Sequence, residues 1–432
     1  GAFSEGTSTS YGSILINDGY IKQSGYRGYG IYNGDNGTIK IGNEEKNINY
    51  NTPYIYSSDC AILNLTGSLE IYNGKIDSQI NSLNMKVTKI RNEYKVEKNT
   101  ENSQREILYL TKKENKEYIA QIKEQKYYGL QEAIDSINND EENEITILTS
   151  FDLEECIYSN KNIVLDLNGN VISNQYYSFE NTGTLYITDK SGANTGKIKS
   201  SGNMTLLNSQ DGIITIKNAK IENNYYNSCT YSNNANYGIY NKNNGRIILN
   251  NGEININGNS QNNSSYGIYN QNKGTILIEN GTIECISSDH SYGIYNKTST
   301  NIIIMNGGTI NSESNSNSYY NGVGIDNESG TVTINGGSLT GRTYGVENDF
   351  GTMIINDGTM YGKRYGVYNS KTGSTTITGG NISGISSGVY NEANGKIILG
   401  TKGDGIVSQE TPNINCENGN GIDNNSGEFY FY

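Results

Sequence analysis

The segment YGIYN at residues 266–270, followed after three polar residues by GTILIENGTI at 274–283, decides the architecture. In the second stretch the apolar residues stand at offsets 2, 4 and 9, as Ile276, Ile278 and Ile283. Alternation of period two, broken by Asn-Gly, reads as strand, turn, strand; an amphipathic helix would repeat near 3.6. The first stretch is a further short strand whose central residue is a β-branched aliphatic.

Both stretches recur. The YGIYN glycine falls at Gly30, Gly238, Gly267, Gly293, Gly324, Gly345, Gly366, Gly388 and Gly421, with spacings from Gly238 of 29, 26, 31, 21, 21, 22 and 33. The second stretch returns as GRIILNNGEI (245–254), GTVTINGGSL (330–339) and GTMIINDGTM (351–360), and earlier as GSILINDGYI (12–21), GSLEIYNGKI (67–76) and GIITIKNAKI (212–221). A period near 21 with insertions identifies a repeat architecture. Each repeat offers about three short strands, and each strand meets the same residue type one repeat later. The predicted fold is all-β: a right-handed parallel β-helix solenoid, because parallel strands joined by crossovers favour that hand. Its inner files should include Ile247, Ile276, Val332, Met353 and Ile377. Leucine-rich repeats share the period. Here, however, Asn follows the second inner residue by two positions, leads into Gly, and leaves no room in the repeat for a helix.

Asparagine closes the YGIYN strand at Asn33, Asn241, Asn270, Asn296, Asn327, Asn348, Asn369 and Asn391. Stacked amides can donate to the coil below and accept from the coil above, so these residues are expected to form a structural ladder. The tyrosine before each asparagine (Tyr32, Tyr240, Tyr269, Tyr295, Tyr368, Tyr390) is expected to point opposite to the inner Ile, toward solvent, with Asp326 and Glu347 interrupting the file. Of these, Tyr240, Tyr269, Tyr295, Tyr368 and Tyr390 are the candidate binding residues, as a strip with one ring per coil. The competing expectation is that the rings shield the backbone of neighbouring coils.

Composition narrows the function. Only 34% of the 432 residues are hydrophobic, which suits a solenoid that buries one thin file per coil. The net charge of -13 disfavours a phosphate-backbone partner, and no apolar run is long enough to insert in a membrane. Cys60, Cys156, Cys229, Cys285 and Cys416 are scattered and odd in number, so neither a disulfide framework nor a metal site is expected.

The coil pattern lapses at 81–126, which carries eleven Lys/Arg against seven Glu and reads as polar-faced β-hairpin strands. Leu130, Ala133, Ile134 and Ile137 then predict one short capping helix over Gly129–Asn138. The expected organisation is therefore 1–80, the last coils of one β-helix unit; 81–126, a basic hairpin connector; and 127–432, a second unit. A longer repeat supports it: GTIKIG (37–42) aligns with GKIILG (395–400), TPYI (52–55) with TPNI (411–414), and AILNLTGSLEIY (61–72) with GIDNNSGEFYFY (421–432). The offsets near 360 lead us to expect a window on a tandem array that is cut late in its second unit.

The LDLNG strand after a small helix, followed by GTIxIxNG coils, resembles the pectate-lyase-like right-handed β-helix repeats of large surface proteins and adhesins of Gram-positive, Clostridium-like bacteria. The resemblance implies an extracellular, cell-surface location and partners such as glycans, host or bacterial surface proteins and neighbouring units of the same chain. It also raises the alternative of a polysaccharide lyase or glycoside hydrolase. The chain has no Asp-Asp or Gly-His-Gly, and Arg246, Arg342 and Arg364 sit on separate repeats. It has no Trp, and His290 stands alone in a Ser-Ser-Asp-His-Ser insertion. We therefore expect a non-catalytic structural or adhesive rod with no catalytic residue, cofactor or metal.

Overall fold

The computed structural model describes residues 2–4, 13–24, 29–33, 37–43, 52–58, 60–64, 68–79, 89–90, 94–102, 105–112, 117–138, 143–175, 178–225, 235–258, 264–315, 322–400 and 412–432. At 2–4, 63–64, 89–90, 94, 98–102, 106 and 111–112 this is the backbone alone. The chain packs as two units, Gly1–Lys116 and Glu117–Tyr432.

The second unit is a right-handed parallel β-helix built from one 23-stranded and one 11-stranded sheet. The decapeptide strands make the larger sheet, and the YGIYN strands make the smaller. Register follows residue type: Ile247 pairs with Ile276, Ile276 with Ile303, Ile303 with Val332, Val332 with Met353 and Met353 with Thr375. The expected inner residues Ile247, Ile276, Val332, Met353 and Ile377 are all fully buried, within an apolar cluster running from Ala120 to Leu399. Each such side chain contributes about 1.5–3 kcal/mol by leaving water.

Two repeats depart from strand, turn, strand. Arg246–Gly258 and Thr275–Ser287 are continuous 13-residue strands paired to each other across the Asn-Gly bend. The bend survives as a register shift, with Asn251 at φ +56° and Gly281 at φ +119°.

The helix spans Leu130–Asp135, shorter than the expected 129–138, because the chain leaves helical bonding after the Ser136 amide meets the Glu132 carbonyl. Leu130, Ala133, Ile134 and the following Ile137 are nevertheless all buried in the same apolar cluster.

The first unit repeats the design on a smaller scale, with Ile14, Ile39 and Leu69 in register, and likewise Ile21, Ile55 and Ile76. Tyr94–Asn102 and Arg105–Lys112 form an antiparallel hairpin whose second strand pairs antiparallel with Lys75–Gln79. The hairpin is less polar than its composition suggests: Ile107 and Leu110 are buried, and Arg105 binds the Asp77 carboxylate at 2.6 Å. Within the second unit, Ala120–Ile122 and Gln125–Tyr127 form a further short antiparallel pair.

Candidate functional site: the ladder and the tyrosine flank

The YGIYN strand does not keep strict alternation. In Asn236–Asn241 both Gly238 and Ile239 are buried, so Tyr237 and Tyr240, three residues apart, face outward together. Glycine makes this possible. A Cβ at Gly238 would stand 2.6 Å from Ile256 Cδ1 and 2.7 Å from the Gly267 carbonyl oxygen. Two inward residues in succession thus give this coil and the next two, with Tyr266/Tyr269 and Tyr292/Tyr295, two outward tyrosines instead of the single one expected.

Inside the same strand the asparagines form a continuous chain. Nine Nδ2–H···Oδ1 bonds of 2.7–3.0 Å link Asn181, Asn208, Asn241, Asn270, Asn296, Asn327, Asn348, Asn369, Asn391 and Asn424 in order. Each inner amide donates to the coil that follows and accepts from the one before, as expected of stacked amides. The second N–H of Asn241 reaches the Gly245 carbonyl at 2.8 Å, and that of Asn270 reaches Gly274 at 3.0 Å. This closes the turn and explains the spacing of Asn and Gly: a Cβ at Gly274 would lie 2.0 Å from Asn270 Oδ1. Asn181 and Asn208 were missed because their strands carry no Tyr-Gly-Ile segment, and Asn424 was left out of the file although Gly421 places it; the Gly a few residues after each was a further signal. In the first unit Asn33 is equally buried and donates to Gly37 at 2.9 Å.

On the outer side the tyrosines form two groups. In the first, Tyr237, Tyr266 and Tyr292 stack in one file with centroids 5.2 and 5.1 Å apart, and Tyr240, Tyr269 and Tyr295 in another at 5.2 and 5.3 Å. The files meet edge to face, as between Tyr266 and Tyr269. The second group holds Tyr344, Tyr365, Tyr368 and Tyr390, with Tyr344 over Tyr368 at 4.5 Å and Tyr365 over Tyr390 at 4.4 Å. Such ring pairs contribute about 0.5–1.5 kcal/mol each beyond their buried area.

The expected solvent-facing strip is corrected on two points. First, Tyr240, Tyr269, Tyr295, Tyr368 and Tyr390 are half-buried, their faces turned on neighbouring rings, and the Tyr295 and Tyr368 hydroxyls donate to Glu328 and Glu392. Burial raises the phenol pKa of every one of them, and it pushes that of Tyr266 up to about 12. Second, Asp326 and Glu347 are not exposed interruptions. Asp326 is only 8% exposed, and Val323, Tyr344 and Tyr365 form an apolar cluster beside it, with Tyr292 and Tyr368 packed on that cluster. The two carboxylates separate Tyr295 from Tyr368, so the five candidate residues fall into a set of three and a set of two.

Elsewhere, His290 Nδ1 lies 3.0 Å from Asp289 Oδ2 at a partly exposed turn. Arg364 lies over the Tyr365 ring at 4.9 Å, and Arg342 donates to the Ser314 carbonyl. Cys60 and Cys285 are buried and Cys156 and Cys416 half-buried, burial pushing the Cys285 pKa up to about 12, while Cys229 lies outside the described residues. A polar concavity of about 550 Å³ is lined by Asp152, Glu154, Ser173, Gln175 and Lys199, away from the tyrosines. Among the described residues no three His, Cys, Asp or Glu side chains stand together as a metal site, and no helix is long and apolar enough to cross a membrane.

No protein family, curated protein or solved structure matches the chain. What the residues and coordinates establish together is a repeating parallel β-solenoid with an asparagine ladder, a right-handed β-helix by its architecture.

Proposed function

We propose that the chain is a non-catalytic structural or adhesive rod on a bacterial surface, part of an array of similar β-helix units, with the tyrosine flank as its docking face for glycans or surface proteins. The observation that carries this reading is the unbroken asparagine ladder. Coil after coil keeps the inner asparagine and the turn it closes, so the sequence is spent on a regular axis. The resemblance of the coils to repeats of surface proteins supports the location. The rings, stacked about 5 Å apart from coil to coil, support docking of an extended ligand along the flank.

The test replaces Tyr240, Tyr269 and Tyr295 together with Ser. Loss of adhesion to cells or immobilised glycans at unchanged melting temperature supports the docking face. A lowered melting temperature with adhesion intact assigns the rings to stability alone. Release of soluble products from pectin or host glycans by the unmodified chain overturns the non-catalytic reading and favours a lyase or hydrolase.

A further inference from the structure

Asp326 and Glu347 are hydrogen-bonded neighbours in the backbone register, on consecutive coils, in the file that elsewhere carries tyrosine. Among the described residues no cation forms an ion pair with either of them. The cations nearby are committed to other acids: Lys297 binds Glu328, and Lys371 binds Asp349, which also accepts from the Ser370 hydroxyl. Tyr295 donates to Glu328 as well. Asp326 Oδ1 is buried without any hydrogen-bond partner. A lone carboxylate in such a place is costly to charge, and two side by side cost more, so their placement favours the protonated pair.

We propose that Asp326 and Glu347 form a proton-held latch in the tyrosine flank: while protonated they let Val323, Tyr344 and Tyr292 close over them, and losing the protons parts the two ring groups at this point. For docking, this rests on the reading of the flank given above: the flank is one surface when the latch is closed and two when it is open.

Charge and burial agree with this. Burial holds the Asp326 pKa well above the usual carboxylate range, reinforced by Glu347, Asp349 and Glu328 and only eased by Lys371. Burial, with Asp349 adding and Lys371 opposing, pushes Glu347 up to about 8. The phenols facing the pair, Tyr292, Tyr295 and Tyr266, are themselves raised in its presence and stay neutral, so they cannot compensate it. Tyr368, on the other side, donates to Glu392. Because the folded pKa of each acid lies above its unfolded value, the stabilisation is complete below the ordinary carboxylate range and is lost as pH rises toward about 8.

The test is amide hydrogen exchange on the full chain at about pH 6 and about pH 9, corrected for intrinsic rates and read on peptides covering 322–328 and 343–349. In the unmodified chain, protection there should fall about tenfold or more between the two conditions. The Asp326→Asn/Glu347→Gln chain keeps the shape without the charge and should hold its protection at the higher pH, with Glu347→Gln alone intermediate. Equal losses in the unmodified and neutral chains overturn the latch. So does restoration of protection by calcium in the unmodified chain only, which would make the pair metal ligands. Adhesion measured on the same samples separates the two ideas: a latch seen by exchange with no adhesion at either pH leaves the latch standing and removes the docking face.

Discussion

Replacing Asn270 with Ala tests whether the ladder stabilises the solenoid or merely follows it. Asn270 accepts from Asn241 Nδ2 at 2.9 Å and donates to Asn296 Oδ1 and the Gly274 carbonyl, both at 3.0 Å. The Gly274 oxygen keeps a partner in the Ile302 amide at 3.0 Å. Two groups are therefore orphaned, one N–H of Asn241 and Asn296 Oδ1, in a site sealed from water. At about 1–3 kcal/mol for each buried unsatisfied group, the loss should be about 2–6 kcal/mol. The control is chemically identical. Asn335 donates to Asn306 Oδ1 at 2.9 Å and accepts from Asn356 Nδ2 at 2.8 Å, in a second asparagine row that lies exposed to solvent. There water replaces whatever is lost, and Asn335→Ala should change stability by less than about 0.5 kcal/mol. Urea unfolding followed by circular dichroism gives the global comparison, and hydrogen exchange on peptides around 265–275 gives the local one. If Asn270→Ala costs no more than Asn335→Ala, the inner ladder is a passive consequence of strand stacking. Asn270→Asp adds a sign. Its carboxylate would face acceptors, so its folded pKa should be raised. Its stability relative to the unmodified chain should recover on acidification and be lost as pH rises through that folded value.

Two further outcomes follow from the core and from one turn. Ile276→Asp buries an unpaired charge between the fully buried Ile247 and Ile303, and should prevent cooperative folding of the surrounding coils, whereas Ile276→Val should cost about 0.5–1.5 kcal/mol; thermal melts distinguish them. Burial would raise the Asp189 pKa, but the amides of Gly196, Ser191 and Gly169 outweigh it and hold the carboxyl below its usual value. The stability it gives is present above the ordinary carboxylate range and lost as pH falls through the folded value, so Asp189→Asn should flatten the acid limb of the melting curve.

The repeat, the inner aliphatic files and the ladder were legible in the sequence because each depends on one residue type recurring at one position. What escaped was set by departures from period two. Counting alternately from Ile239 puts Tyr240 outside but Tyr237 nowhere useful; only the double inward step at Gly238 and Ile239 brings the two rings together. Asp326 and Glu347 read as surface substitutions because nothing local shows that Tyr344, two coils from Tyr292, closes over them. Ile107 and Leu110 were lost in a segment whose charge dominated its composition, since their burial depends on pairing with Lys75–Gln79, nearly thirty residues earlier.

The common direction of the amide chain bears on how such a solenoid can change length. Every rung presents an acceptor to its predecessor and a donor to its successor, whatever the identity of either. A repeat of one whole period, such as the 21 residues from Gly324 to Gly345, can therefore be lost or copied and the hydrogen bonds rejoin across the scar without reorientation. Insertion of part of a period is accommodated only between rungs: the links of 26, 29, 31 and 33 residues carry the same amide bond as those of 21. Such a chain can therefore vary the length of each coil freely while the asparagine and the aliphatic files keep their places.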